Sequence, residues 1–543
     1  MFNLSMLLED SARRHPGRDA LVMGNQRLTY AQVDALSNQV ANLLVSRNIQ
    51  PGDKVALSCP NLLQFPMIYY GILKAGAVVV PLNVLLKGRE IAYQLIDSDA
   101  KAYFCFEGTS ELLMSKHGHA GFTRAAGCQE MFVITVDPTA ASPIPGTETL
   151  AEALSGRSTE FETAVSTPAD TAVILYTSGT TGRPKGAELT HSNMVLNALI
   201  SNRMFGSQHT PPDRHLLTLP LFHSFGQTVN MNAGFSVGAT LVLLPRFEPL
   251  AALKLMQEED ITVFAGVPTM YWGLLGELNE DVDVERIARN IRLAISGGAA
   301  LPVEILIQFK QRFGIDILEG YGLTETSPLA IFSDPERGSR AGAIGMPIWG
   351  IEAGLVDEDW NPMAGPNRVG ELVIRGHNIM KGYYKRPEAT AEVMRDGWFR
   401  TGDLARVDED GFYYIVDRAK DMIIRGGFNV YPREIEEVLM SHEAVSLAAV
   451  VGVPDESHGE EIKAFVILKP GAQVTGDELI AWSKAQMASY KYPRSIELAT
   501  TLPMTATGKI LKRELNSRAV PGCHLEPRRT RCLGHCPKRY RST

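Results

Sequence analysis

One segment rich in hydroxyl groups and glycine, YTSGTTGRPKG (176–186), has the composition of a loop that holds phosphate. Five of its eleven residues carry a hydroxyl group and three are glycine, so side chains and backbone N–H groups could both donate to phosphate oxygens. A Walker A loop places its lysine directly after the last glycine. Here Arg183 and Pro184 separate Gly182 from Lys185. The segment therefore indicates a phosphate site of another kind.

Three further polar loops also follow apolar, strand-like runs. They are FHSFG after LLTLPL, SGGAALP after IRLAI, and EGYGLTET after GIDIL. In a doubly wound sheet such loops gather at the carboxyl edge, where ligands bind. Any one of them alone is more often a structural turn. Together with the 176–186 segment they predict a nucleotide or phosphate site at the ends of the strands.

Two other motif matches carry less weight. Gly234-Phe-Ser236-Val-Gly238 fits the hydrolase nucleophile elbow, but that elbow must leave a strand and enter a helix. Here Ser236 is followed at once by the strand-like ATLVLL, which is the reverse order. Gly320-Tyr-Gly322 begins like a dinucleotide fingerprint, yet Glu325 occupies its third glycine position. A carboxylate there would repel a pyrophosphate directly but could hold it through a cation.

The elements that must position these loops alternate along most of the chain, which predicts an α/β fold. The strands are fully apolar, as in a sheet covered on both faces: TAVILYT, HLLTL, ATLVLL, ITVFAG and IRLAIS. Helical patterns lie between them, such as LAALKLMQEED and PVEILIQFKQRFG. After about residue 400 the sequence pattern changes, and it predicts two strands around a charged turn, a helix and further strands.

A chain of 543 residues is too long for one ordinary domain. We predict a large domain over 1–417 and a small, mobile α+β domain over 418–516. The extension 517–543 is predicted to be a disordered tail. Its Cys523, His524, Cys532, His535 and Cys536 invite a zinc interpretation, but their spacing matches no common zinc site.

Composition limits the function classes. A net charge of −8 and a pI near 5.9 argue against a nucleic-acid-binding protein, which would present a basic face. No apolar run approaches the roughly 20 residues that cross a bilayer. Glu9 and Asp10 interrupt the region where a signal peptide would be apolar. We expect a cytoplasmic protein. Peripheral membrane contact and oligomeric state are left open.

Six motifs, in this order, resemble the signature of the adenylate-forming superfamily. They are YTSGTTGRPKG, YGLTET (321–326), TGD (401–403), IVDRAKDMI (415–423), GGFNVYP (426–432) and TATGK (505–509). Within that superfamily the chain is most similar to bacterial medium- and long-chain fatty acyl-CoA synthetases. The resemblance implies that a fatty acid, ATP and CoA are converted to fatty acyl-CoA through an acyl-AMP intermediate, with Mg²⁺ and release of pyrophosphate.

The resemblance also implies roles for individual residues. Thr177 and Glu325 would hold Mg²⁺, while Lys185 and the loop before it would bind phosphate. Lys509 would be the catalytic cation, His223 would lie between the acyl carboxylate and the nucleotide, and Lys420 would be a hinge. The remaining residues expected to bind nucleotide or CoA are Ser178, Gly179, Thr180, Thr181, Gly182, Gly297, Gly298, Ala299, Tyr321, Gly322, Thr324, Asp403, Arg418, Gly426 and Gly427.

Several alternatives stay open on the sequence alone. The acyl adenylate could pass to a carrier-protein thiol in trans, or the acid could be an aryl or another carboxylic acid. A nucleotide-binding protein without turnover is a different class, against which the presence of both Glu325 and Lys509 argues. A hydrolase would require a reactive Ser236. The length and shape of the acid cannot be read from one sequence.

Overall fold

The computed structural model describes residues 2–177, 183–207, 210–334, 338–455 and 457–519. Its largest sheet has nine strands and is parallel except at its two edges. In spatial order these strands are Met346–Pro347, Leu329–Phe332, Ile317–Gly322, Leu293–Gly297, Val263–Gly266, Arg214–Leu217, Thr240–Leu243, Asp19–Met23 and Gln26–Thr29. The fully buried central strands explain the continuous apolar runs of the sequence.

A second sheet has eight strands and carries the 176–186 segment at one side. Its order is Gly382–Tyr383, Lys185–Thr190, Thr171–Thr177, Val78–Pro81, Lys54–Ser58, Ala100–Phe106, Glu130–Ile134 and Glu148–Thr149. The strands from Thr171–Thr177 onward are parallel, whereas Lys185–Thr190 returns antiparallel to Thr171–Thr177. Thr177 and Lys185, on either side of residues 178–182, are therefore register partners on paired strands.

Two five-stranded sheets complete the described chain. One consists of Ile351–Val356, Gly370–Gly376, Trp398–Val407, Met394–Arg395 and Tyr413–Arg418. The other consists of Phe428–Val430, Ile423–Arg425, Gly459–Leu468, Val445–Asp455 and Ser495–Leu498. The second of these sheets has its own apolar core, built from residues between Ile423 and Leu515. The mixed α/β architecture predicted from the sequence is confirmed.

Helices cover the sheets and connect their strands. The α-helices are Met6–Arg14, Tyr30–Ser46, Gln64–Lys74, Gly88–Asp97, Met114–Phe122, Leu150–Leu154, His191–Phe205, Ala233–Ser236, Pro249–Glu258, Pro268–Gly276, Val284–Asn290, Val303–Phe313, Pro387–Val393, Pro432–Met440, Gly476–Gln486 and Lys512–Ala519. A π-helix spans Phe225–Asn232, and Thr324–Thr326 is a 3₁₀ turn. Threonine side chains cap several helices, as Thr190 does for His191–Phe205. Within the described ranges, no helix has the length and apolarity needed to cross a membrane.

A buried ion pair ties two strands of the nine-stranded sheet together at their amino ends. The Asp213 side chain is only 1% exposed and accepts two hydrogen bonds from Arg292, at 2.7 Å from Nε and 2.5 Å from Nη2. Thr262 donates a third bond to the same carboxylate. Arg292 also donates to the carbonyl of Phe205. The pair fixes the strands whose opposite ends carry the candidate site.

Replacing Arg292 with leucine should destabilise the protein strongly. The change leaves a buried carboxylate without its cation, which typically costs about 3–5 kcal/mol. Urea unfolding of the purified chain would measure the shift of the transition midpoint. Arg286→Leu is the matched control, because it removes an exposed pair with Asp260 that is worth at most about 1 kcal/mol. Equal shifts in the two variants would contradict a stabilising role for the Asp213–Arg292 pair.

Candidate active site

The ends of two neighbouring parallel strands form one wall of the candidate site. Strand Leu293–Gly297 pairs with Ile317–Gly322, so that Gly297 lies opposite Gly320. Gly298 follows in a left-handed conformation, with φ of +81°, which glycine adopts without strain. Gly322 is also required by space, since a Cβ there would lie 1.8 Å from the carbonyl oxygen of Pro328. These glycines let a ligand approach the backbone closely.

The predicted loops meet, but they do not all leave the same sheet. His223, the Gly297–Gly298 turn and the 320–326 loop follow strands of the nine-stranded sheet. Thr177 ends a strand of the eight-stranded sheet instead. Sequence reasoning treated all four loops as one edge because each follows an apolar run. The structure shows that the strands before these loops belong to two different sheets.

Tyr321, Asp403 and Arg418 form a connected polar group. The Tyr321 hydroxyl donates to Asp403 Oδ2 at 2.6 Å, and Arg418 Nε lies 3.3 Å from Asp403 Oδ1. Asp403 and Arg418 are register partners on adjacent antiparallel strands. Burial raises the pKa of Asp403 above its usual value, while Arg418 opposes that shift. The group presents an aromatic ring, a carboxylate and a guanidinium together.

Lys509 enters the same region from the carboxyl-terminal part of the chain. A Cβ built on Gly298 would lie 3.2 Å from Lys509 Cε and 3.7 Å from Nζ. Burial lowers the pKa of Lys509 to about 8; the positive charge of Arg418 contributes in the same direction and Asp403 opposes it. The loop is braced internally, because Thr505 Oγ1 accepts a hydrogen bond from the Lys509 amide. Burial of this kind favours contact between the ammonium and an anion.

Three contacts hold the carboxyl-terminal part against the nine-stranded sheet. Thr269 donates to the carbonyl of Gly508 at 2.7 Å, and the Trp272 indole donates to Ser446 Oγ at 2.9 Å. Glu437 Oε2 accepts a hydrogen bond of 3.3 Å from the amide of Val303 at the start of a helix. Thr269 and Trp272 lie on one helix, Pro268–Gly276. The position of Lys509 is therefore set by contacts outside its own loop.

His223 lies near Lys509 as a neutral imidazole. Burial lowers its pKa to about 3, with a further contribution from the charge of Lys509. Its Nδ1 accepts a hydrogen bond of 3.3 Å from the amide of Phe225. A neutral ring that accepts at Nδ1 carries its proton on Nε2. His223 can thus donate one hydrogen bond without adding charge.

Glu325 is linked to the 176–186 hairpin through a tyrosine. It lies in the 3₁₀ turn that Thr324 begins, and its Oε1 accepts a hydrogen bond of 2.8 Å from Tyr383. Lys185 Nζ lies 5.0 Å from the centre of the Tyr383 ring, and Lys185 pairs with Thr177 across the hairpin. Burial raises the pKa of Glu325 above its usual value.

Tyr383 was not identified from the sequence. It stands in KGYYKRPE, which has a single glycine and matches none of the motifs used above. Its role arises from a two-strand pairing, Gly382–Tyr383 with Lys185–Thr190, between segments about 200 residues apart. The conspicuous double tyrosine is the one local signal, and it does not say which ring faces the site.

Other predicted residues are not joined to this group. Lys420 lies in an exposed turn, and Gly426 and Gly427 form the tip of a hairpin with φ of +56° and +82°. Among the described residues, no hydrogen bond joins Gly426 or Gly427 to Lys509 or Asp403. Ser178, Gly179, Thr180, Thr181 and Gly182 lie outside the described residues, as do the tail residues Cys523, His524, Cys532, His535 and Cys536.

The structure argues against a hydrolase elbow at Ser236. That residue ends the short helix Ala233–Ser236 and precedes the strand Thr240–Leu243, the reverse of the required order. Its hydroxyl donates to the carbonyl of Ala233 and accepts from Asn202. The side chain is fully engaged in local structure.

Comparisons with known proteins place this site in a family. Residues 8–384 match the AMP-binding enzyme family, and residues 434–509 match the AMP-binding enzyme C-terminal domain. A long-chain-fatty-acid–CoA ligase of Bacillus subtilis is 36% identical over 96% of each chain. Among solved structures, an anthranilate CoA ligase in complex with anthranoyl-AMP superposes with a TM-score of 0.86 at 30% identity, covering 95% of this chain and 97% of that one. ATP-bound MatB from Rhodopseudomonas palustris gives a TM-score of 0.85 at 32% identity, covering 95% and 98%.

The chain belongs to the AMP-binding enzyme family, and the resemblance drawn from its six motifs is confirmed. Its enzymatic class is that of the AMP-forming CoA ligases, for which ATP and CoA are substrates.

Proposed function

We propose that this ligase activates a medium- or long-chain fatty acid, and that the site residues act as the motifs imply. The substrate class is supported by the Bacillus subtilis relative, whose similarity extends over nearly the whole of both chains. The single observation that carries the proposal is the partly buried Lys509 ammonium beside the Tyr321–Asp403–Arg418 group. That arrangement offers an aromatic face, a ribose acceptor and a cation for the phosphate side of ATP.

In the first half-reaction a carboxylate oxygen of the acid attacks the α-phosphorus of ATP. A new O–P bond forms, the bond to the β-phosphate oxygen breaks, and pyrophosphate leaves with the electron pair. Catalysis of phosphoryl chemistry is mostly positioning and charge stabilisation. Lys509 would neutralise charge between the carboxylate and the α-phosphate. His223 would donate from Nε2 to the acid and hold it in line.

The donor set fits a magnesium ion at the phosphate end. Magnesium prefers hard oxygen ligands and keeps several waters, so one buried carboxylate and one hydroxyl are sufficient protein ligands. Glu325 would supply the carboxylate, whose Oε1 accepts a hydrogen bond from Tyr383, and Thr177 at the end of its strand would supply the hydroxyl. When bound, the ion neutralises the phosphate charge of ATP and of the leaving pyrophosphate. Lys185 and residues 178–182 would bind phosphate on the same side.

In the second half-reaction the CoA sulfur attacks the acyl carbonyl, and AMP leaves. Lys509 occupies the region where charge gathers in the first step, so it must withdraw before the thiol enters. We place the boundary between the large domain, 1–417, and the small domain, 418–516, at the exposed turn that contains Lys420. Rotation there would bring Gly426 and Gly427 to the site, where the backbone could line the pantetheine path.

A carrier-protein thiol is the second candidate acceptor. A pyrophosphate-exchange assay across acetate to palmitate and aryl acids, followed by product formation with CoA or with a carrier protein, separates these functions. Exchange with fatty acids and release of acyl-CoA supports the proposal. Exchange with aryl acids alone would show that the substrate is an aryl acid and not a fatty acid. Acyl transfer only to carrier protein would show that the acceptor is a carrier protein and not CoA.

Glu325→Gln should weaken the use of magnesium. Because the variant keeps its shape but loses the anionic ligand, the Mg²⁺ concentration for half-maximal pyrophosphate exchange should rise by at least about tenfold. Magnesium titration of the exchange rate measures this. Glu352→Gln, an exposed carboxylate that pairs with Arg375, is the control and should leave the titration unchanged. An unchanged magnesium dependence in Glu325→Gln would remove Glu325 from the metal site.

Lys509→Ala should separate the two half-reactions. Loss of one preorganised electrostatic partner should slow adenylate formation on the order of 10²–10³-fold, while synthetic acyl-AMP and CoA should still give acyl-CoA. Lys420→Pro should instead retain adenylate formation and slow the conversion of acyl-AMP and CoA to acyl-CoA, because a fixed φ hinders rotation at the hinge. Single-turnover assays of each half-reaction are the measurement, with the exposed Lys484→Ala as control. Equal damage to both half-reactions in both variants would exclude alternation between two domain positions.

The rate of adenylation should fall at alkaline pH. The ammonium of Lys509 is required, and its pKa of about 8 means that the free enzyme loses this charge as pH rises through 8. The ratio kcat/KM for exchange should therefore decline above about pH 8. The decline of kcat should begin at a higher pH, because bound phosphates favour the charged ammonium form of Lys509. Lys509→Arg should be slower but without this decline. An identical alkaline decline in the arginine variant would assign it to another group.

A further inference from the structure

The π-helix Phe225–Asn232 begins two residues after His223 and is unusually polar for its burial. All eight of its residues are buried, and four of them have polar side chains that are capable of hydrogen bonding: Gln227, Thr228, Asn230 and Asn232. Helices of this kind are rare and occur frequently at functional sites. Burial of four such groups in one short helix requires an explanation.

Two of these four side chains have at least one partner within the protein, although Asn232 Nδ2 has none in the described part of the chain. Asn232 Oδ1 accepts a hydrogen bond of 2.7 Å from the Tyr70 hydroxyl. Thr228 Oγ1 contacts the sulfur of Met194 at 3.8 Å. In contrast, neither amide atom of Gln227 and neither amide atom of Asn230 has a hydrogen-bond partner in the described part of the chain. Both side chains are buried, at 0% and 1% exposure.

The adjacent helix His191–Phe205 provides an internal comparison. Its buried Asn193, Asn197 and Asn202 each donate from Nδ2 to a backbone carbonyl, at 2.6, 2.7 and 2.8 Å. These three amides are paired, whereas both amide atoms of Gln227 and of Asn230 lack a partner. Leaving a buried polar group unpaired is unfavourable. A polar partner from outside the chain would therefore stabilise the side-chain amides of Gln227 and Asn230.

These side chains belong to a helix that begins beside the candidate site. The backbone N–H of Gln227 donates to the carbonyl of His223 at 3.1 Å. A Cβ on Gly297 would lie 3.0 Å from the Phe225 ring, which places the start of the helix against the nucleotide wall. With the carboxylate at His223, an acid whose chain runs along this helix would reach Gln227 first and Asn230 next.

We propose that Gln227 and Asn230 hold an oxygen function of the substrate, so that the preferred acid is a hydroxy or oxo fatty acid. This inference rests on the proposed function, because it takes the carboxylate to lie at His223. A carboxamide both donates and accepts, and it can pair with a hydroxyl or a carbonyl oxygen. An unsubstituted alkyl chain would leave both amides unpaired in a dry site. Such sites discriminate strongly against analogues that lack the polar group.

The experiment compares decanoate with hydroxy- and oxodecanoates substituted at single positions from C5 to C10. Pyrophosphate exchange gives kcat/KM for each acid with the wild-type chain, Gln227→Met and Asn230→Leu. Thr228→Val is the matched control, since it removes a buried hydroxyl from the same helix that already has a partner. Thermal unfolding of each variant reports whether packing is preserved.

At least one oxygenated acid should exceed decanoate by tenfold or more in kcat/KM. Gln227→Met or Asn230→Leu should abolish that preference, because kcat/KM for the oxygenated acid falls while kcat/KM for decanoate does not. Thr228→Val should retain the preference. Wild-type preference for decanoate over the whole series overturns the inference and leaves the fatty-acid function intact. No exchange with any decanoate overturns the proposed function itself. If the variants unfold, the wild-type comparison decides alone.

Discussion

Partial burial of the Lys509 ammonium is the interaction on which the rest of the site depends. Removing a charge from water is costly unless an opposite charge meets it, and burial is the main cause of the lowered pKa of Lys509. Arg418 lowers that pKa further, and Asp403 opposes the shift. A phosphate bound beside Lys509 would supply a further opposite charge and offset the cost of removing the ammonium from water.

Assembly from several parts of the chain follows from this constraint. The nine-stranded sheet supplies the glycine wall, His223 and Tyr321, while the eight-stranded sheet supplies Thr177 and Lys185. Asp403 and Arg418 come from paired strands of a five-stranded sheet. Lys509 comes from the carboxyl-terminal part, held by Thr269 and neighbouring contacts. A cation that arrives on a separate element can also be withdrawn. The charge needed for the first half-reaction is thus compatible with an open path for the thiol in the second.

Much of this could be predicted from the sequence, since alternating apolar and amphipathic runs fixed the α/β class and the ordered motifs fixed the family. Tyr383 could not be predicted, because it reaches Glu325 through a pairing of distant strands. The π-helix was also missed, since FGQTVNMN has neither a helical nor an alternating pattern. Whether an amide such as Gln227 finds a partner depends on packing in three dimensions. The domain boundary and the roles of single residues remain predictions.

The helix Pro268–Gly276 carries two of the contacts that hold the carboxyl-terminal part in place, through Thr269 and Trp272. In the proposed two-position mechanism, those contacts would form for adenylation and break for thiol attack. Strengthening them would then speed formation of the adenylate but delay its consumption, and weakening them would do the reverse. Under that mechanism, turnover would be fastest when these contacts have intermediate strength. Substitutions along this helix could shift which step limits turnover while every group that touches substrate stays the same.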